Sequence, residues 1–457
     1  MIIGGGPGGY EAALVAAQLG AQVTVVDRDG LGGACVLTDC VPSKTLIATS
    51  EMMAALEGSA GLGIRYRSGG VAAATVDAPR LYSRVLALAR AQSGDVAGRL
   101  AAERVEVRSG AGRLVGPRTV AVGDAKVSAD IVLVATGARP RVLPDAVPDG
   151  ERILTARQLY DLHELPPELI VVGSGVTGAE FASAYQALGS QVTLVSSRDR
   201  VLPSEDADAA MVVEDVFRRR GMTVLGRSRA ASAKATGDGV TVTLEDGRAV
   251  RGSHCLLTVG MVPNTGGLGL AEAGITLDRG GFIPVDRVSR TSASGIYAAG
   301  DCTGVQMLAS VAAMQGRIAM WHSLGEAVQP LRLSHVAMTV FTEPEIATVG
   351  VSQRAVEAGE ADALVVKLPL ATNARAKMQG FRDGFVKLFA RRSSGMVLGG
   401  VVVAPRASEL ILGVSLAVEQ HLTVDEIAHT FAVYPSLSGS ITEAARRLMQ
   451  PSEEDLI

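Results

Sequence analysis

The chain of 457 residues has few of the features that mark several common functional classes. It has four cysteines, six histidines and one tryptophan, and aromatic residues make up only 4%. So few cysteines point to a reducing cytoplasm, where a disulfide is catalytic or sensing rather than structural. The shortage of aromatics, beside 53 glycines and 47% hydrophobic residues, suits an α/β protein with Ala/Val-rich packing and many glycine turns. Neither sign of charge is in surplus: 43 basic and 47 acidic residues are interspersed, for a net charge of −4. With no basic face, nucleic acid and anionic membrane are not expected partners. Apolar runs such as 396–405 are too short to span a bilayer and read as buried strands. The opening M-I-I-G-G-G-P-G-G carries no charged region of a signal peptide. A chain of this length is expected to hold two to four domains.

The chemically distinctive stretch is 30–44, G-L-G-G-A-C-V-L-T-D-C-V-P-S-K, where four residues separate Cys35 from Cys40. That spacing is too long for a thioredoxin-type C-x-x-C, and no second pair or nearby histidine completes a zinc site. It reads as one helical turn with both cysteines on one face, where a disulfide can open and close with little backbone movement. A pair of buried structural thiols fits the same residues. Cys255 and Cys302 lie singly in apolar contexts and read as structural.

A repeat organises the rest. The pattern G-x-G-x-x-G occurs at Gly4, Gly6, Gly9 and again at Gly173, Gly175, Gly178. Each copy follows an apolar strand, opens an Ala-rich helix and leads to a similar second strand, L-G-A-Q-V-T-V-V-D at 19–27 and L-G-S-Q-V-T-L-V-S at 188–196. A constant offset of 169 residues relates the copies, which predicts two dinucleotide folds. Glycines admit the pyrophosphate to the backbone, and the helix N-terminus offers free N–H groups and a positive dipole end. Only three residues precede Gly4, against about five or six in a usual strand, so the start reads as misassigned or truncated. Asp27 ends the second strand where a carboxylate binds ribose hydroxyls. Its counterpart is Ser196, followed by Ser197, Arg198 and Arg200; a lost acid and nearby arginines favour a 2′-phosphate and hence NADPH, with Asp199 offsetting part of the charge.

Between the copies, 71–105 reads as a long helix, followed by short strands to 131–137 and a crossover marked by prolines 140, 144 and 148. The second unit closes with 256–264. A strand at 296–301 runs into Asp301, and a helix follows at about 308–322. From about 335 the pattern becomes α+β, with strands at 336–349, 384–390 and 397–403 and helices at 406–420 and 423–430.

Together these motifs resemble the pyridine nucleotide–disulfide oxidoreductases, the family of dihydrolipoamide dehydrogenase, glutathione reductase and mercuric reductase. The likeness also rests on A-T-G at 135–137, A-A-G-D at 298–301 and F-T-E-P-E-I-A-T-V-G at 341–350. It implies an α/β fold of two Rossmann-like domains and an α+β dimerisation domain. The implied bounds are 1–142 with 265–334 for FAD, 143–264 for NAD(P) and 335–457 for a two-fold dimer. FAD is implied at Gly4, Gly6, Gly9, Asp27, Gly33, Lys44, Thr136, Gly137, Gly300 and Asp301, and NAD(P)H at Gly173, Gly175, Gly178, Ser196, Arg198 and Gly260. Cys40 is implied as the charge-transfer thiol and Cys35 as the interchange thiol. The resemblance also implies that Glu180 pairs with Lys44 beside the flavin.

The dithiol enzymes of that family also carry H-x-H-P-T-x-S-E near the C-terminus. Here 432–439 read A-V-Y-P-S-L-S-G, with Ala432 and Tyr434 for the histidines and Gly439 for the glutamate. Tyr434, with a reference pKa of about 10, is a poor base near neutral pH, and His429 lies five residues away. Losing a general base costs about 10²–10⁴-fold. The mercuric reductases' C-terminal cysteine pair is absent too. The tail resembles a branch that behaves as NAD(P)H:quinone reductases, whose acceptors take electrons straight from the flavin. The expected activity is therefore NAD(P)H-dependent quinone reduction by a cytoplasmic homodimer. The alternative is a disulfide reductase working through Cys35 and Cys40.

Overall fold

The computed structural model describes residues 1–65 and 74–450. Two parallel sheets carry the repeat. The first has five strands in the order 296–298, 132–134, 2–3, 24–27, 106–109. The second has the order 223–225, 191–195, 168–172, 254–257, 153–154. In both, the strand before the glycine turn lies between the next strand and a later one; Ile2 faces Val25 and Leu133, and Leu169 faces Val192 and His254. Covered on both faces, such strands read as unbroken apolar runs, and Val132, Leu133, Val134 and Val171 are fully buried. The strand before Gly4 is two residues long, Ile2–Ile3.

Because 296–298 returns beside 132–134, the second sheet is inserted into the first. Strands 138–140 and 261–263 pair antiparallel as the crossover. The third sheet is antiparallel, in the order 338–340, 345–350, 397–404, 385–391, 363–369.

The helices that matter for the site are α1 (Pro7–Gln18), α2 (Gly33–Leu37), α3 (Cys40–Gly58), α4 (Ala78–Ala102), α5 (Val176–Leu188), α6 (Ala207–Arg219) and α7 (Ala309–Ser323). Helices α1 and α7 touch backbone to backbone: a Cβ at Gly316 would clash with the carbonyl of Gly8. Their contact brings the first turn of α1 beside that of α7, with Gly8 against Ala312. Helix α3 packs on α5 and α4 over a core that includes Leu46, Tyr82, Phe181, Tyr185 and Phe389.

Several expectations need correction. The cysteines do not share a helical turn: α2 ends at Leu37, and α3 begins at Cys40 after a break at Thr38 and Asp39. Asp39 has φ −126 and ψ −94, outside the helical region. The helix expected over 71–105 begins at Ala78, where the Asp77 carboxylate caps the Arg80 amide at 3.0 Å. Residues 71–73 lie outside the described residues. The strand expected over 336–349 is two strands, with Thr342 Oγ1 closing the turn on Pro344 O at 2.7 Å. Strand 363–369 and helix 439–449 were not anticipated.

Candidate active site

The first glycine turn forms a tight backbone cradle. Gly4 has φ +104, and a Cβ there would strike Ala135 O; a Cβ at Gly9 would strike Gly4 O. At Gly33 a Cβ would lie 2.8 Å from Gly6 Cα, so the 30–33 loop rests directly on the turn. Gly6 caps α1 without a side chain, and Pro7 follows it, which leaves the helix N-terminus open to an anion. Asp27 is committed to this loop: Oδ2 accepts from Gly5 N at 2.6 Å, and Oδ1 accepts from Asp29 N at 2.9 Å and Gly30 N at 2.6 Å. A carboxylate has about four lone-pair sites, so Asp27 first shapes the turn and keeps little capacity for ribose.

Gly300, at φ +79, turns the chain into Asp301. Gln315 of α7, 1% exposed, holds that turn through Oε1 to Gly300 N at 2.8 Å and Nε2 to Thr303 Oγ1 at 3.4 Å. Burial, then the charge of Asp39, pushes the Asp301 carboxyl up to about 6. A desolvated carboxylate of this kind calls for a donor such as a polyol hydroxyl. With the glycine cradle and two helix N-termini beside it, the site fits FAD.

The thiols lie at the same cleft. Cys35 and Cys40 are half-buried free thiols, each within hydrogen-bonding reach of the other. That bond lowers Cys35 and raises Cys40; burial and Asp39 act against thiolate in both, and Lys44 acts for it in both. Lys44, one turn on in α3, donates from Nζ to Glu180 Oε2 at 2.8 Å. Glu180 Oε1 accepts from Phe341 N at 2.9 Å, and Lys44 Nζ stands 4.8 Å from the Phe341 ring centre. Burial pushes the Lys44 ammonium down, but the charge and hydrogen bond of Glu180 outweigh it and hold the pKa above the ordinary value. This pair joins α3 of the first unit to α5 of the second and to the 338–345 turn of the third.

At the second turn, a Cβ at Gly173 would strike Thr258 O and one at Gly178 would strike Gly173 O. Gly175 caps α5 without a side chain and is exposed. Ser196 corrects the expectation for a 2′-phosphate contact. It is fully buried, with its hydroxyl 2.7 Å from Ser174 Oγ and 3.1 Å from Arg198 O, so it braces the loop instead of facing solvent. Arg198 is exposed, and Asp199 is paired with Arg227 at 2.7 Å, which removes the offset to the arginines.

Thr136, Gly137 and Gly260 lie in the crossover. Thr136 Oγ1 donates to Asn264 O at 2.8 Å, Gly137 O accepts from Asn264 N at 3.0 Å, and Gly260 O accepts from Arg141 N at 2.9 Å. Tyr434 is 84% exposed, on a segment with Phe431 at 104% and Val433 at 77%, and makes no hydrogen bond to the thiols of its own chain. His429 sits exposed on its own helix, with Nδ1 2.8 Å from Asp425 O. Cys255 and Cys302 are fully buried and raised by that burial to about 12 and about 11, as expected of structural thiols. Sequence reasoning missed Asp39, Gln315 and Phe341. Asp39 was visible as a carboxylate directly before a cysteine, whereas Gln315 carried no local signal.

A family model for pyridine nucleotide-disulphide oxidoreductase matches residues 1–316, and the model for that family's dimerisation domain matches 336–445. A Mycobacterium tuberculosis protein named NAD(P)H dehydrogenase (quinone) is 58% identical, over 100% of this chain and 94% of its own length. A dihydrolipoyl dehydrogenase of Geobacillus stearothermophilus is 34% identical, over 97% of this chain and 95% of its own. The crystal structure of LpdA from Mycobacterium tuberculosis superposes with a TM-score of 0.93 at 58% identity, covering 98% of this chain and 99% of that one. No described helix is long and apolar enough to cross a membrane. With these matches added to the two glycine cradles and the Lys44–Glu180 pair, the chain belongs to the pyridine nucleotide-disulphide oxidoreductase family and is a flavoprotein oxidoreductase.

Proposed function

We propose that the protein is a cytoplasmic homodimer that oxidises NAD(P)H, preferring NADPH, and reduces quinone-type acceptors without using its thiols. One observation carries this reading. The Lys44–Glu180 pair is intact, while none of the six histidines hydrogen-bonds Cys35 or Cys40. A two-fold partner would bring the same Ala432, Tyr434 and Gly439 in place of the histidines and the glutamate. The name of the 58% identical relative supports the same acceptor class.

FAD, when bound, supplies the two-electron chemistry. The chain's own residues bind and orient it: the Gly4–Gly9 turn and α1 take the pyrophosphate, Asp301 the ribityl hydroxyls, and Gln315 fixes the turn that carries Asp301. Glu180 keeps the Lys44 ammonium charged and aimed, so that positive charge stands where negative charge develops. The Gly173–Gly178 turn and α5 take the nucleotide pyrophosphate. Arg198, beyond the buried Ser196, meets the 2′-phosphate. The exposed Phe431, Val433 and Tyr434 suit a dimer face.

Cys35→Ser is expected to keep most of the NADPH-driven menadione turnover; abolition of turnover sinks the direct route and favours the disulfide reductase, the reading supported by the facing thiols. Arg198→Ala is expected to raise KM for NADPH about ten-fold, through loss of a charged hydrogen bond, and to leave KM for NADH unchanged. Equal effects on both nucleotides would remove the assignment.

A further inference from the structure

We propose that Asp39 withholds negative charge from the Cys35–Cys40 pair, and so steers electrons arriving at the flavin site toward an external acceptor. The steering part rests on the quinone reading above.

Asp39 immediately precedes Cys40 in the break between α2 and α3. It stands at the N-cap position of α3, yet its carboxylate takes no hydrogen bond from the first turn. Asp77 and Asp206, at the same position of α4 and α6, do cap their helices, through the amides of Arg80 and Ala209. Asp39 is exposed instead, and it sits directly before Cys40 and five positions before Lys44. Its charge acts on Cys35 of α2, Cys40 and Lys44 of α3, Asp301 in the 301–303 turn and Tyr160 in the 157–161 turn. Tyr10 on α1 faces Cys35, and Glu180 on α5 faces Lys44 and Tyr160. The Tyr160 hydroxyl is buried without a partner. Lys44 is paired with Glu180 at 2.8 Å and still favours thiolate at both sulfurs, against Asp39 at both and Asp301 at Cys35. For both thiols the push of Asp39 against thiolate outranks the pull of Lys44.

The redox step shows why this matters. Opening a Cys35–Cys40 disulfide breaks the Sγ–Sγ bond and consumes two electrons and two protons. NAD(P)H supplies a hydride, which brings both electrons and one proton, and solvent supplies the second proton. Until that proton arrives one sulfur carries a negative charge within the field of Asp39, the residue before Cys40. A nearby like charge disfavours that state, so the pair is a slow sink. A quinone approaching the cofactor meets no such penalty.

The test is thiol titration of the NADPH-reduced holoenzyme. Iodoacetamide alkylation rates of Cys35 and Cys40 are followed by peptide mass spectrometry across about pH 6 to 10. Asp39→Asn is expected to move the alkylation midpoint of the faster thiol down by about one pH unit, equal to about ten-fold more thiolate at a fixed lower pH. It is also expected to bring up long-wavelength thiolate–flavin absorbance. Asp39→Glu keeps the charge and the parental titration. If the Asn protein is not recovered with FAD, Asp39→Ser removes the same charge and carries the same expectation. A titration in Asn or Ser that coincides with the parent, or moves up, overturns the role of Asp39. Menadione turnover by the parent reports separately: its absence beside a shifted titration overturns steering and the acceptor reading, and supports the effect of Asp39 on the thiols.

Discussion

Replacing Lys44 with methionine is expected to slow flavin reduction by NADPH about 10²–10³-fold, the usual cost of removing one preorganised charge from a reacting centre. Methionine keeps the length and apolar stem of the side chain, so the change is one of charge. The ammonium lies one-third exposed, while its partner Glu180 is 4% exposed and spends its other oxygen on Phe341 N. Glu180 is therefore a positioning residue. Glu180→Gln keeps the hydrogen bonds in outline and drops the charge, so its effect is expected to be smaller, about 10-fold. Stopped-flow absorbance of FAD-loaded protein measures both. A loss below ten-fold in Lys44→Met would show that the charge is not used.

Lys387→Met is expected to destabilise the fold by about 3–5 kcal/mol, the range for breaking a buried ion pair from one side. Lys387 lies in strand 385–391 with its side chain 1% exposed. Nζ donates to Asp206 Oδ2 at 2.8 Å, and Asp208 Oδ2 is also 2.8 Å away. Both aspartates begin α6, so this ammonium ties the third sheet to the nucleotide-binding unit. Lys367, 3.1 Å from Asp208, cannot serve both carboxylates. Asp208 is raised by burial, but Lys387 and Lys367 outweigh this and hold it below the ordinary carboxylate value. Its contribution is therefore present above about pH 4 and is lost as pH falls through the folded value. Adding Asp206→Asn to Lys387→Met is expected to recover part of the loss by removing one stranded charge. Urea unfolding of the holoprotein reads these values, and a change under about 1 kcal/mol would mean that the network is solvated.

The two nucleotide-binding units were legible because each is written locally. A glycine turn, its flanking strand and its helix lie within about 25 residues, and the two copies confirm each other. The Lys44–Glu180 pairing was legible only through resemblance, since 136 residues separate the two. Lys387 sits in an apolar strand 181 residues from Asp206, with nothing local to mark it. Ser196 was misread because its alignment with Asp27 says nothing of burial: the hydroxyl is buried and bonds Ser174 and the loop. The cysteine pair was misplaced on one turn because Thr38 and Asp39 interrupt the helix, and Asp39 itself went unweighed.

The acceptor decides the account. Steady-state kcat/KM with NADPH, measured side by side for benzoquinone and oxidised lipoamide, tests it most directly. On the proposed reading, in which no histidine serves Cys35 and Cys40, the ratio is expected to favour benzoquinone by about 10²-fold or more. Lipoamide turnover equal to or above that of benzoquinone would contradict it.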